Sequence, residues 1–122
     1  MSSASRCYDV VWDEANGVVR TNWHPDAVCG IAEARAVTAE ISAMGRGRVL
    51  QFVDLRGIDA IDRPGREHFM TASADFRAVA LVADSGVTKM IANFFLTLKR
   101  GSIPVKIFTT EADAMTWLRR QP

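Results

Sequence analysis

The chain has 122 residues, which suits one domain with one core and is short for two. A hydrophobic share of 48% and a charged share of 24% lie close to globular averages, which argues against disorder and against a membrane class. Fifteen basic residues against fourteen acidic ones, dispersed for a net charge of +1, form no stripe of the kind phosphate backbones require, so nucleic acid is not an expected partner.

The opening MSSASR lacks the apolar segment of a signal peptide. No run approaches the ~20 apolar residues needed to span a bilayer, so a cytoplasmic location without a membrane span is expected. Cys7 and Cys29 have neither CxxC spacing nor an adjacent histidine. They read as free, partly buried thiols, and no metal or other cofactor is expected.

In chain order, Cys7 to Trp12 reads as a strand, Asn16-Gly17 as a hairpin turn, and Val18 to Trp23 as the antiparallel return. Pro25 opens a helix along which Val28, Ile31, Ala34, Val37, Ile41 and Met44 recur on one face, ending at Gly45 or Gly47. Val49 to Leu55 is a nearly continuous apolar run, as expected of a strand covered on both faces at the centre of a sheet. Asp62 caps a second helix with Pro64 in its first turn and Phe69, Met70 and Phe76 as its apolar contacts.

Ala78 to Ala83 is a second interior strand. Asp84-Ser85-Gly86 caps a third helix carrying Val87, Met90, Ile91, Phe94, Phe95 and Leu98, and Gly101 closes it. Val105 to Phe108 is the last strand, and Thr110 with Asp113 starts a final helix in which Arg119 and Arg120 suit the C-terminal dipole. The three tryptophans, Trp12, Trp23 and Trp117, are expected at the ends of one core. The order β-β-α-β-α-β-α-β-α implies an α/β fold: a single mixed five-stranded sheet, an N-terminal antiparallel hairpin followed by parallel strands, in one domain over residues 1–122.

This order, with DLRGIDAIDRPG after the central strand, resembles the STAS domain, the fold of bacterial anti-sigma-factor antagonists. In that family a strand ending in Asp-Leu leads to Asp-Ser-Ser-Gly at a helix start, and the second serine is phosphorylated by a partner kinase. Asp54-Leu55 matches the strand end, while Asp62, Arg63, Pro64 and Gly65 stand where Asp-Ser-Ser-Gly would be. Pro64 has no hydroxyl, so that switch cannot operate at this position. The C-terminal half, LVADSGVTKMIANFFLTLKRGSIPVKIFTTEADAMTWL, is similar to a SpoIIAA-like subgroup of small bacterial proteins in the STAS and Sec14-like fold group. The resemblance implies a regulatory interaction or ligand-binding module.

Three sets of residues are candidates. Asp54, Arg56, Asp62, Arg63, Pro64, Gly65 and Arg66 would form a partner-binding loop at the carboxyl end of the central strand, where open α/β sheets place ligand-contacting groups. The plainer reading makes Asp54 a turn former and Asp62 an N-cap. Asp84, Ser85, Lys89 and Asn93 would form an anion or phosphorylation site at a helix N-terminus, against a plainer reading of Ser85 as an ordinary cap. Met90, Ile91, Phe94, Phe95 and Leu98 would line an apolar ligand pocket or a dimer seam, against a plainer reading as core.

No catalytic residues are expected, since His24 and His68 are isolated and the chain has no GxSxG, HExxH or Gly-rich phosphate loop. A phosphoaspartate reading of Asp54 with Asp13-Glu14 fails because that pair enters a β-turn. The leading expectation is a non-catalytic regulatory module that binds an unknown protein partner and forms a homodimer. The alternative is a carrier of a small apolar molecule or lipid, with its pocket next to the third helix.

Overall fold

The computed structural model describes residues 7–72, 76–98 and 103–122, excluding the side chains of residues 70–72 and 97–98. The Met70 and Leu98 contacts and the Gly101 helix end expected above lie outside the described residues. Strands are β1 (Tyr8–Asp13), β2 (Val18–Trp23), β3 (Ala27–Cys29), β4 (Val49–Asp54), β5 (Ile58–Ile61), β6 (Phe76–Val82) and β7 (Val105–Phe108). Helices are α1 (Ile31–Ala43), α2 (Arg63–Ala72), α3 (Gly86–Leu98) and α4 (Glu111–Arg119).

Five strands form one sheet in the order β1-β2-β4-β6-β7. β1 and β2 are antiparallel, and the remaining neighbours are parallel. The mixed sheet expected from the sequence is therefore present, with the apolar β4 at its middle. The hairpin turn differs in length: Asp13 pairs with Val18, so Glu14 to Gly17 form a four-residue loop rather than a two-residue turn. Gly17 closes it at φ 67°, donating its N–H to the Asp13 carbonyl at 2.8 Å, a conformation glycine adopts without steric cost.

A second, two-stranded parallel sheet pairs β3 with β5, and it corrects the reading of the first helix. Val28 lies on β3 and is 55% exposed instead of facing the core from a helix. The helix starts only at Ile31, where the Glu33 carboxylate accepts the Gly30 N–H at 2.9 Å. Its end is as read, with Gly45 at φ 65° just past the Met44 C-cap. Phe76 is likewise the first residue of β6, not part of the second helix.

Strand alternation sends successive side chains to opposite faces, so the sheet builds two cores. Val18, Leu50, Phe52, Ala78, Ala80 and Val82 meet Ala114, Met115 and Leu118 of α4 on one face. Val19, Trp23, Val49, Val79 and Leu81 meet Ala34 and Val37 of α1, Ile58 and Ile61 of β5, and Ile91 of α3 on the other. The tryptophans divide between these cores: Trp12 and Trp23 pack with the first helix's side, whereas Trp117 packs on the α4 side against Phe108 at 5.7 Å.

A polar clamp ties the hairpin to α4. Arg20 reaches Asp13 at 3.3 Å and Glu111 at 2.9 Å while its guanidinium lies 4.6 Å from the centre of the Phe52 ring. Arg119 donates to Asn16 Oδ1 at 2.8 Å, and Asn16 Nδ2 donates to Asp13 Oδ2 at 2.8 Å. Bonds from Asn16, outweighing burial, and then from Arg20 hold the Asp13 carboxyl below its ordinary value.

Candidate functional site

Large helices stand over the three-helix face of the sheet, and the residues between them do not fill the space. A cavity of about 70 Å³ remains between α1, α2, α3, β5 and the strands. At about 10–15 Å³ for each water-sized sphere, it has room for about five. Val53, Val79, Leu81 and Val105 form its floor, with Val37 and Ile41 of α1, Phe69 of α2, and Ile91 and Phe95 of α3 above. Most of the wall is apolar, the composition that leaves an internal space favourable to hydrocarbon.

One polar pair interrupts the floor. Gln51 Nε2 donates to Thr21 Oγ1 at 2.9 Å, with both residues buried on adjacent strands. This pair satisfies one donor of the carboxamide. Thr38 lies at the α1 wall, where its Oγ1 approaches the Ala34 and Arg35 carbonyls at 3.2 and 3.1 Å and His68 Nε2 at 2.8 Å. With the hydroxyl proton directed to a backbone carbonyl, His68 Nε2–H is the donor to Thr38.

The stripe on α3 is divided by this arrangement. Ile91 and Phe95 line the cavity, Phe94 lies 4.8 Å beneath the Arg66 guanidinium, and Met90 is 67% exposed. The Phe69, Phe95 and Phe94 rings form a continuous edge-on series at 6.0 and 5.7 Å, which fixes α2 against α3.

The loop after β4 is built largely from internal contacts. Asp54 Oδ1 accepts the Arg56 N–H and Nε–H at 3.0 and 2.9 Å, and Oδ2 accepts from the second arm of the guanidinium at 2.8 Å. Burial raises the Asp54 carboxyl, yet these bonds and the charges of Arg56 and Arg20 leave it below its ordinary value. Gly57 has no room for a side chain, because a Cβ there would sit 2.8 Å from the Pro25 nitrogen.

Asp62 caps α2: its Oδ1 accepts from Gly65 N at 2.8 Å, and its own N–H donates to Cys29 O at 2.9 Å. Gly65 is buried against Cys29 and Gly30, so it contributes to packing and not to the outer surface. Pro64 is exposed, and Arg63, also exposed, pairs with Glu67 one turn on at 3.0 Å. Arg66 is half-buried over Phe94, with an Nε that has no partner among the described residues.

At the start of α3, Ser85 Oγ accepts the Thr88 N–H at 3.1 Å, while Thr88 Oγ1 accepts the N–H groups of Asp84 and Ser85 at 3.1 and 3.0 Å. Ser85 therefore caps the helix, as the plainer reading has it. Asp84, Ser85, Lys89 and Asn93 are all exposed, and no charged side chain is brought onto Ser85 by the described contacts. Both cysteines are free. Burial, with smaller contributions from Glu33, Cys7 and Asp62, pushes the Cys29 thiol up to about 12, so it stays protonated and unreactive. Among the described residues no group of three His, Cys, Asp or Glu side chains is placed to hold a metal ion, and no helix is long and apolar enough to cross a membrane.

From the sequence, the bulky stripe of α3 was open to a pocket wall, a dimer seam or plain core, and of its residues Ile91 and Phe95 line the cavity. Sequence reasoning missed Gln51, Thr21, Thr38 and His68, which come from four elements and share no motif.

Comparison with known proteins agrees with this architecture. The crystal structure of an uncharacterized protein of the DUF3478 family from Shewanella loihica PV-4, with a SpoIIAA-like fold, has a TM-score of 0.68 at 11% identity over 91% of each chain. A protein of unknown function from Arthrobacter sp. FB24 is 24% identical over 93% of this chain and 100% of its own, with a TM-score of 0.35. No curated protein matches. The five-stranded mixed sheet is thus of the SpoIIAA-like kind. Residues 11–121 match the family described as Domain of unknown function (DUF7793), and the chain belongs to it.

Proposed function

We propose that the chain is a non-catalytic SpoIIAA-like module that binds a small apolar molecule between α3 and the sheet. The observation that carries this is the cavity itself: about 70 Å³ lined by valine, leucine, isoleucine and phenylalanine, with a single amide and hydroxyl pair in its floor. An unfilled apolar space of that size costs stability, since the cost of large-to-small core changes rises by ~24 cal/mol for each Å³ of cavity. A bound hydrocarbon group restores those contacts. Native mass spectrometry of the protein as purified is expected to show added mass that organic extraction removes. A clean apo mass, together with no uptake of 1-octanol on titration, would sink the reading.

The second reading is a regulatory module recognised by a protein partner through the Arg56 to Arg66 loop. The exposure of Arg63 and Pro64, and of Met90 and Val87, 67% and 47% exposed on α3, favours it. The absence of a hydroxyl at Pro64 means such recognition would not be switched by phosphorylation there. Substituting Arg63→Glu should abolish capture of the partner with the melting temperature unchanged; equal loss of stability would make the loop structural. Homodimerisation through the outer side of α3 belongs to this reading, and sedimentation of a Met90→Glu variant tests it.

A further inference from the structure

The apolar cavity adjoins a second concavity of opposite character. Arg35 and Ser42 of α1, Arg46 and Arg48 of the following loop, and His68 of α2 line a groove that shares Thr38, Ile41 and Phe76 with the cavity wall. The three arginines are exposed, and none of the described residues that line the groove is a carboxylate. No ion pair joins Arg35, Arg46 or Arg48 to a carboxylate among the described residues, in contrast to Arg20, Arg56 and Arg63, which all have one. Arg48 is oriented by a bond to the Phe76 carbonyl at 3.1 Å, and Arg46 is stacked on Trp12 at 4.2 Å. The groove thus holds two anchored guanidinium groups and a third on α1, with no ion pair to a carboxylate among the described residues, at the rim of a hydrocarbon-lined space.

From this juxtaposition we propose that the ligand is a short single-chain amphiphile with an anionic head. Its tail occupies the cavity beneath α3, and its carboxylate or phosphate lies in the groove among Arg35, Arg46 and Arg48. Guanidinium groups match such heads with paired N–H donors. The junction at Thr38 and His68 marks the point where tail gives way to head. Space for about five water-sized spheres takes the greater part of an octyl chain and is too small for a long acyl chain. This inference rests on the cavity reading above.

Calorimetric titration with octanoate, 1-octanol and octyltrimethylammonium separates the two. Octanoate is expected to bind at least tenfold more tightly than the cationic analogue, and Arg35→Glu/Arg46→Glu should erase that margin with 1-octanol affinity unchanged. Arg35→Gln, a milder change on an exposed helix position, should reduce the margin severalfold if the double variant does not fold. Without any variant, raising NaCl from about 50 mM to about 500 mM should weaken octanoate and spare 1-octanol, because salt screens exposed charges. Equal affinity for the three heads would overturn the anionic assignment and leave the apolar cavity standing. Failure of all three to bind would overturn the cavity reading and this inference together. Octanoate binding that survives Val53→Phe, which fills the cavity floor, would place the ligand on the surface and overturn the inference as well.

Discussion

The two faces of the sheet are built from the same strands yet pack differently. On the α4 face, β6 presents Ala78 and Ala80, both fully buried, and Phe52 and Leu118 are fully buried beneath a single helix. On the opposite face the same strand presents Val79 and Leu81, and three helices with bulky side chains lean on one another as well as on the sheet. Small residues bring a helix down onto a sheet; large ones on both sides hold it off, and the gap left is the cavity. A sheet can thus hold a rigid core on one face and a receptive space on the other through residue size alone.

The largest test of this contrast compares the same truncation on each face. Leu118→Ala should cost about 4–5 kcal/mol, near the top of the range for buried leucine, because α4 cannot collapse onto the space. Leu81→Ala borders a void already and should cost about 2–3 kcal/mol. Urea denaturation of both variants measures the difference, and equal costs would mean that the faces are equally dense.

Next in size is the clamp of Arg20, whose side chain is 19% exposed between Asp13 and Glu111. Its position lies between exposed pairs worth ~0–1 kcal/mol and buried ones whose disruption costs ~3–5, so Arg20→Met should destabilise by about 1–3 kcal/mol. The same network sets an acid limit. Asp13 and Asp54 have folded-state pKa values below their ordinary 3.8, so their contribution is complete above that value and is lost as pH falls through the folded values. Stability measured from pH 5 down to pH 2 should therefore decline, and Asp13→Asn should make the decline shallower. The smallest effect is expected at Arg63→Glu, within about 0.5 kcal/mol, because its only described salt bridge is an exposed one within α2.

Elements that bury a long regular face were legible in the sequence. The continuous run of β4 and the capped, bulky helix α3 announce themselves through period and terminal residues. β3 and β5 did not, because three and four residues are too few to establish alternation, and Val28 falls at helical spacing from Ile31 although it is exposed on a strand. The caps at Asp62, Ser85 and Thr110 were readable because each bond is local, between residues three apart. The arginine groove was hidden for the converse reason. Arg35, Arg46, Arg48 and His68 are brought together by α1 packing on α2, and nothing in their spacing signals it. Empty space has no residue of its own, so the cavity could be inferred only as a surplus of large side chains on α3.

The most direct test of the central claim is a methyl-resolved NMR titration of the intact chain with 1-octanol, observing both faces of the sheet in one experiment. Saturable shifts at the cavity methyls, among them Val37, Val53, Val79, Leu81, Ile91 and Val105, with Val18, Val82 and Leu118 unmoved, are the predicted result. No saturable shift at the cavity methyls, or equal shifts on both faces, would contradict the account.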